Sequence, residues 1–229
     1  MKSIGQWLLS GLMRNCAHPR GVGGKVMLWG MNRGHGRVYR WVMEACPFAD
    51  GMRVLDVGCG GGGMARELRK RFPGMRVDGV DVSEESVATA RKVAGEGGEF
   101  QVAPAEALPA GEGTYDAAIS VESVYFWPDL GKGLRELLRV VRADGFAAAA
   151  VECSDPEKAQ IWTELVGEGM KVRTAAELAE AFRGAGFADV EAKEDVTRGL
   201  VCVIGRKVPQ GAGAGVFAAK APTTRREQA

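Results

Sequence analysis

The stretch Val54-Leu-Asp-Val-Gly-Cys-Gly-Gly-Gly-Gly63 decides how this chain is read. A short apolar run closes on Asp56-Val57, five glycines follow within six residues, and Met64–Phe72 then has the character of a helix. Bare backbone at a strand-to-helix turn lets a ligand lie against the chain, with the first helical amides free to donate to it. A second β-rich run, Arg76–Val82, reaches Asp81 nineteen residues after Gly62. A carboxylate at that place accepts both hydroxyls of a ribose. Loop, helix and acid in this order predict nucleotide-type binding.

Working outward, Met52–Val57, Arg76–Val82, Phe100–Val102, Tyr115–Val121 and Gly145–Val151 have the composition of buried strands. Helical spacing separates them, most clearly at Leu130, Leu134, Leu137, Leu138 and Val141, which share one face. Such alternation predicts an α/β fold: a mostly parallel, Rossmann-like sheet of seven strands with helices on both faces. Thr174-Ala-Ala-Glu177 has the form of a capping box, opening a helix with Leu178, Ala181, Phe182 and Ala185 on its apolar face and its end at Gly184 or Gly186. Only Thr197, Arg198 and Gly199 separate the strands Asp189–Val196 and Leu200–Gly205, so these form a hairpin and bring an antiparallel strand into the sheet. Residues 1–48 are expected to be a helical cover, with helices around Trp7–Arg14 and Arg37–Glu44 joined by the glycine-rich stretch Gly21–His35. Residues 49–207 form the core domain, and 208–229, rich in Gly, Ala, Pro, Thr and Arg, read as a disordered tail.

Composition narrows the function. Hydrophobic residues at 46% and charged ones at 26% of 229 exclude a disordered or fibrous chain. Thirty Lys and Arg against 29 Asp and Glu provide no field that would gather nucleic acid, so no nucleic-acid partner is expected. No apolar run reaches the ~18 residues of a membrane span, and Gly5, Gln6, Ser10 and Gly11 break up the one stretch that resembles a secretory signal. Cys16, Cys46, Cys59, Cys153 and Cys202 lack zinc or iron–sulfur spacing. They read as reduced thiols of a cytoplasmic protein, and no metal is expected. Arg66, Arg69, Lys70, Arg71 and Arg76 read as the solvated face of a helix.

Gly58, Gly60 and Gly63 also satisfy the dinucleotide fingerprint, so a NAD(P)-dependent reductase is one alternative and a non-catalytic cofactor-binding protein another. Three features turn the reading elsewhere. Asp56-x-Gly58-x-Gly60-x-Gly62, Glu106-Ala-Leu-Pro109 after the third strand with Tyr115-Asp116 opening the fourth, and the closing hairpin together resemble the class I S-adenosylmethionine-dependent methyltransferases. The resemblance covers residues 50–206 and is nearest to the methyltransferase type 11 and ubiquinone/menaquinone groups. It implies S-adenosylmethionine as cofactor, S-adenosylhomocysteine as product and direct, metal-independent transfer to a small molecule. It places Asp56, Gly58, Cys59, Gly60 and Gly62 at the methionine part, Asp81 at the ribose, Ala105 and Glu106 at the adenine, and Val82 and Val121 beside them. Pro104 stands where many relatives have an acid, leaving backbone at Ala105 to serve the adenine.

Methyl transfer needs an acceptor held in line and sometimes a base. The segment Glu122-Ser-Val-Tyr-Phe-Trp127, directly after the fourth strand, is expected to supply acceptor-side residues. Tyr125 and Trp127 are candidates to wall the substrate, with Trp127 equally readable as an anchor of the next helix and Phe126 as core. His35, one of two histidines, is the first candidate for a general base; a helix cap or loop histidine is the plain alternative. Glu122 is the second candidate, with Tyr125 beside it. Ser120-Val-Glu122 replaces the Asn/Asp-Pro-Pro-Tyr/Phe motif, which disfavours methylation of adenine or glutamine amides. A monomer and a homodimer both remain open.

Overall fold

The computed structural model describes residues 19–166 and 169–209. Seven strands, β1 (Arg53–Val57), β2 (Arg76–Asp81), β3 (Phe100–Val102), β4 (Tyr115–Val121), β5 (Val141–Val151), β6 (Ala188–Asp195) and β7 (Leu200–Arg206), form one sheet in the order β3-β2-β1-β4-β5-β7-β6. The first five run parallel; β7 inserts antiparallel between β5 and β6, as the short connection requires, four residues long because β6 ends at Asp195 and not at the expected Val196. Strand order reverses between β1 and β4, and ligand crevices in open α/β sheets form outside the carboxyl ends at such a point.

Helices α1 (Gly21–Gly34), α2 (Gly36–Ala45), α3 (Gly63–Arg71), α4 (Glu84–Val93), α5 (Leu130–Val140), α6 (Gln160–Val166) and α7 (Ala175–Ala185) complete the described chain. Period-two alternation along the strands splits the core in two. Leu55, Val57, Leu134, Leu137 and Phe182 meet on one face, and Val54, Leu68, Val77, Val87 and Ile119 meet on the other. The α7 capping box is formed in both directions, and Gly186 ends the helix in the left-handed conformation at φ 104°. Val141 already pairs with Tyr115, so β5 begins directly from α5, four residues before the expected Gly145. A register shift after that pair accommodates Arg142–Gly145, whose polar composition conceals the strand.

The larger departure is α1. Five glycines in fourteen residues point away from a helix, at about 1 kcal/mol each relative to alanine. Tertiary contacts offset that cost. Leu28 is buried, Ser83 Oγ donates to Pro19 O at 2.7 Å, and Asn32 Nδ2 donates to Gly61 O at 3.0 Å. At Gly24 a β-carbon would lie 2.7 Å from the Pro19 carbonyl carbon, so a side chain there would push the helix off its seat. The stretch expected to join two helices is therefore itself a helix, and His35 sits at the junction of α1 with α2. The expected helix Trp7–Arg14 and residues 210–229 of the expected tail lie outside the described residues.

Asp129 caps α5 by accepting from Lys132 N at 2.9 Å. Buried Trp127 fits against this helix only because residue 133 is glycine, where a β-carbon would overlap the indole. Gly133→Ala is expected to displace Trp127 and lower stability by about 1–3 kcal/mol, the usual cost of an overpacked core, read by denaturant unfolding. An unchanged unfolding midpoint would contradict this packing.

Candidate functional site

The loop after β1 is fastened to β2. Gly58 N and Cys59 N both donate to Val80 O, at 2.8 and 3.0 Å. Gly58 has φ 75°, and a β-carbon there would overlap the Ser123 side chain; Gly62, also at φ 75°, would place one 2.9 Å from Ala90 Cα. Ser123 Oγ donates to Val57 O at 2.9 Å and lies 2.6 Å from Ser120 Oγ, which locks the end of β4 to the end of β1. Asp81 accepts from Gly60 N through Oδ2 and from Ser83 N through Oδ1, both at 2.9 Å.

These turns enclose a cleft of about 1050 Å³, counted out to its mouth. It brings together Asp56, Gly58, Cys59, Gly60, Asp81, Val82, Ala105, Glu106, Val121, Glu122 and Trp127 from the sequence reading, with His35 from the cover. Gly62 lies behind it, at the head of α3. Asp56 is 1% exposed, and its Oδ2 has no hydrogen-bond partner among the described residues. Burial, and next the charge of Asp81, push its carboxyl up to about 7. A buried acid in the lining of a glycine-walled cleft suits a cationic group and opposes a pyrophosphate. Glu106 Oε1 accepts from Asp129 N at 3.1 Å, joining the β3–β4 turn to the head of α5.

Leu28, Asn32, His35 and Tyr39 form the inner wall, and of these sequence reading singled out only His35 as a site residue. Their spacing of i, i+4, i+7 and i+11 is a helical stripe that would have found them had α1 been recognised. Tyr39 is buried, and a β-carbon at Gly63 would lie 2.8 Å from its hydroxyl.

A second pocket opens beside the first and shares Met31, His35, Glu122 and Phe126 with it. Glu122 has left-handed backbone at φ 59°, uncommon for a side chain of its size. Its Oε1 accepts from Glu152 N and from Tyr125 Oη, the latter at 3.4 Å, while Tyr125 Oη accepts from Cys153 N at 2.9 Å. Burial foremost, with the Glu152 charge adding, pushes the Glu122 carboxyl up to about 8. His35 occupies the cap position of α2 but makes no side-chain cap bond. Its ring meets the edge of Tyr39 at 6.1 Å, and burial lowers its pKa against a weaker opposing pull from Glu152. Tyr125 lines the second pocket from its buried floor, and burial raises its hydroxyl far above the ordinary range. Phe126, read as core, is only half-buried and walls both pockets. The 3₁₀ turn Val124–Phe126 turns Val124 and Tyr125 inward and leaves the Phe126 ring at the cleft. Trp127 both lines the cleft and anchors α5. His18 lies outside the described residues.

Comparison with known proteins agrees with this geometry. The methyltransferase domain family matches residues 55–149. A ubiquinone/menaquinone biosynthesis C-methyltransferase of Geobacter sulfurreducens is 35% identical over 138 residues, which is 58% of this chain and 52% of that protein. These matches support a class I S-adenosylmethionine-dependent methyltransferase. The cofactor of this methyltransferase is accordingly S-adenosylmethionine. An uncharacterised methyltransferase of Bacillus subtilis is 28% identical over 153 residues, 66% of this chain and 80% of the relative. The fold is shared with a chain from the complex of the Haloferax volcanii Trm112 methyltransferase activator with its methyltransferase, at TM-score 0.72 and 24% identity over 80% of this chain and 94% of that one. The match thus spans most of one curated relative and about half of the other.

A carboxyl whose pKa is raised by folding favours the folded state when protonated. For Asp56 that contribution is complete below the unfolded value near 4 and disappears as pH rises to about 7. Asp56→Asn removes the dependence. The melting temperature of the variant minus that of the wild type is therefore expected to grow between pH 5 and pH 7.5, by a few degrees. A difference constant with pH would contradict the burial of Asp56 as a free acid.

Proposed function

We propose that this methyltransferase acts on a small-molecule acceptor seated in the second pocket. The reading rests above all on the way that pocket meets the cofactor cleft at His35, Glu122 and Phe126. S-adenosylmethionine, when bound, supplies an electrophilic methyl on a sulfonium, already a good leaving group. The chain has to place, orient and shield. Asp56 and the turn Gly58–Gly62, with Cys59 within it, hold the charged amino-acid end. Asp81 accepts from the ribose. Val82, Ala105, Glu106 and Val121 flank the base, with backbone at Ala105 in place of an acid at Pro104.

Residues 19–48 act as a cover over the catalytic domain, joined to the glycine turn by the Asn32–Gly61 bond. On the acceptor side, His35 and Glu122 are the groups able to take a proton. Tyr125 is a positioning residue that fixes Glu122, and Trp127 with Phe126 closes the wall against water. A NAD(P)-dependent reductase fits less well, because a buried carboxyl with an unpartnered oxygen lines the cleft that a pyrophosphate would have to enter. The same reading takes the enzyme as cytoplasmic, a monomer or homodimer, acting without nucleic acid or metal.

The test incubates the protein with methyl-tritiated S-adenosylmethionine and the separated small-molecule, protein and RNA fractions of a bacterial extract. Label in the small-molecule fraction is expected. Gly58→Ala should weaken S-adenosylhomocysteine binding about tenfold or more, since the turn must move off Ser123. His35→Ala or Glu122→Gln should lower turnover about 100-fold at saturating cofactor, the scale of lost general-base catalysis. Label confined to protein or RNA would overturn the acceptor reading.

A further inference from the structure

The second pocket has a definite chemical character. Its walls are side chains of Met27, Met31, Phe126, Trp162 and Met170, contributed by α1, the 3₁₀ turn, α6 and the segment before α7. Its polar end is a compact set: one ring nitrogen of His35 and one carboxylate oxygen each of Glu122 and Glu152 lie within 4.8 Å of one another. Among the described residues the ion pair formed there is Arg37 Nη2 to Glu152 Oε1 at 3.3 Å, from an arginine half-exposed to solvent and so weakly held. Among the described residues the lining holds no lysine or arginine, and His35 is its one group able to carry positive charge. Like charges this close resist joint ionisation unless a cation joins them. The imidazole of His35 accepts no side-chain hydrogen bond among the described residues, which leaves a nitrogen for a ligand.

We infer that the acceptor is a primary or secondary amine on an apolar, ring-sized body, its ammonium held by Glu122 and Glu152 beside His35 and its body by the methionines, Phe126 and Trp162. This rests on the acceptor reading above and narrows it to a substrate class. An ammonium provides several donors to match the two carboxylates and the imidazole, and aromatic faces nearby favour a cation. A phenol or alcohol brings no charge to add to the weak, half-exposed Arg37 pair at Glu152, and a carboxylic acid would be repelled. Before transfer the nitrogen must expose its lone pair: R–NH₃⁺ and the Glu122 carboxylate become R–NH₂ and the Glu122 carboxylic acid. The nitrogen–methyl bond then forms as the sulfur–methyl bond breaks, the thioether keeps that electron pair, and the product leaves as R–NH₂⁺–CH₃. A divalent metal ion is the rival occupant of the same three ligands. It does not use the apolar wall that the methionines, Phe126 and Trp162 provide.

The experiment measures binding to the protein saturated with S-adenosylhomocysteine, using three isosteric probes, phenethylamine, 2-phenylethanol and 3-phenylpropionate, with magnesium and manganese chloride as controls. Phenethylamine is expected to bind at least tenfold more tightly than the alcohol, with the acid weakest. Glu152→Gln is expected to weaken it about 10- to 100-fold, the worth of a charged hydrogen bond, with little change for the alcohol. Preference for the alcohol or the acid overturns the inference, as does no binding of the amine, or manganese binding that Glu152→Gln abolishes while the amine stays unbound. Failure of the wider reading is distinct: S-adenosylhomocysteine itself would not bind, or label would reach only macromolecules.

Discussion

Everything at the site depends on one turn in which the backbone of β1 is tied to that of β2. Two successive amides, Gly58 and Cys59, converge on the carbonyl of Val80, and one residue later the Asp81 carboxylate takes the amide of Gly60. Each bond is worth only about 1 kcal/mol net, but their geometry admits no side chain at Gly58, where Ser123 has closed in from the end of β4. Three strand ends are thereby fixed to one another, and the acids they carry are fixed with them. Asp56 is left buried with an unpartnered oxygen among the described residues, a cost that the rest of the fold has to offset.

The same turn explains the cover. A helix with five glycines has little reason to form alone, and α1 is held by what it lies on: Gly61 through Asn32, and Ser83, the cap of α4, through Pro19. The helix and the glycine turn are thus joined by direct contacts. His35 enters the site from this cover, whereas Glu122 and Glu152 enter from the sheet, so the polar end of the second pocket is assembled from both sides. Glu122 accepts its unusual backbone because two donors fix its carboxylate, one from the chain at Glu152 and one from Tyr125.

Much of this was legible in the sequence, for identifiable reasons. Strand periodicity, the Asp56–Gly63 turn, Asp81 at its expected distance, the Thr174–Glu177 box and the Thr197–Gly199 hairpin are local signals, and each gave the right element. The features that escaped depend on contacts distant in sequence. Glycine content conceals α1 until its packing is known. The start of β5 is concealed by Arg142–Gly145, and Phe126, which does pack half-buried against the core, is seen to wall the pockets as well only once the 3₁₀ turn is known. Glu152 is a single acid after a strand, without a local motif; it acquires meaning only because β5 lies beside β4 and brings it to Glu122.

The central claim is that Asp56, the glycine turn and Asp81 form a site for a sulfonium nucleoside. Calorimetric titration with S-adenosylmethionine, S-adenosylhomocysteine and NADH, on the wild type and on Asp81→Ala, tests it most directly. The account predicts micromolar binding of the first two, lost at least tenfold in the variant, and none of NADH. Binding of NADH alone, or S-adenosylhomocysteine affinity indifferent to Asp81, would contradict it.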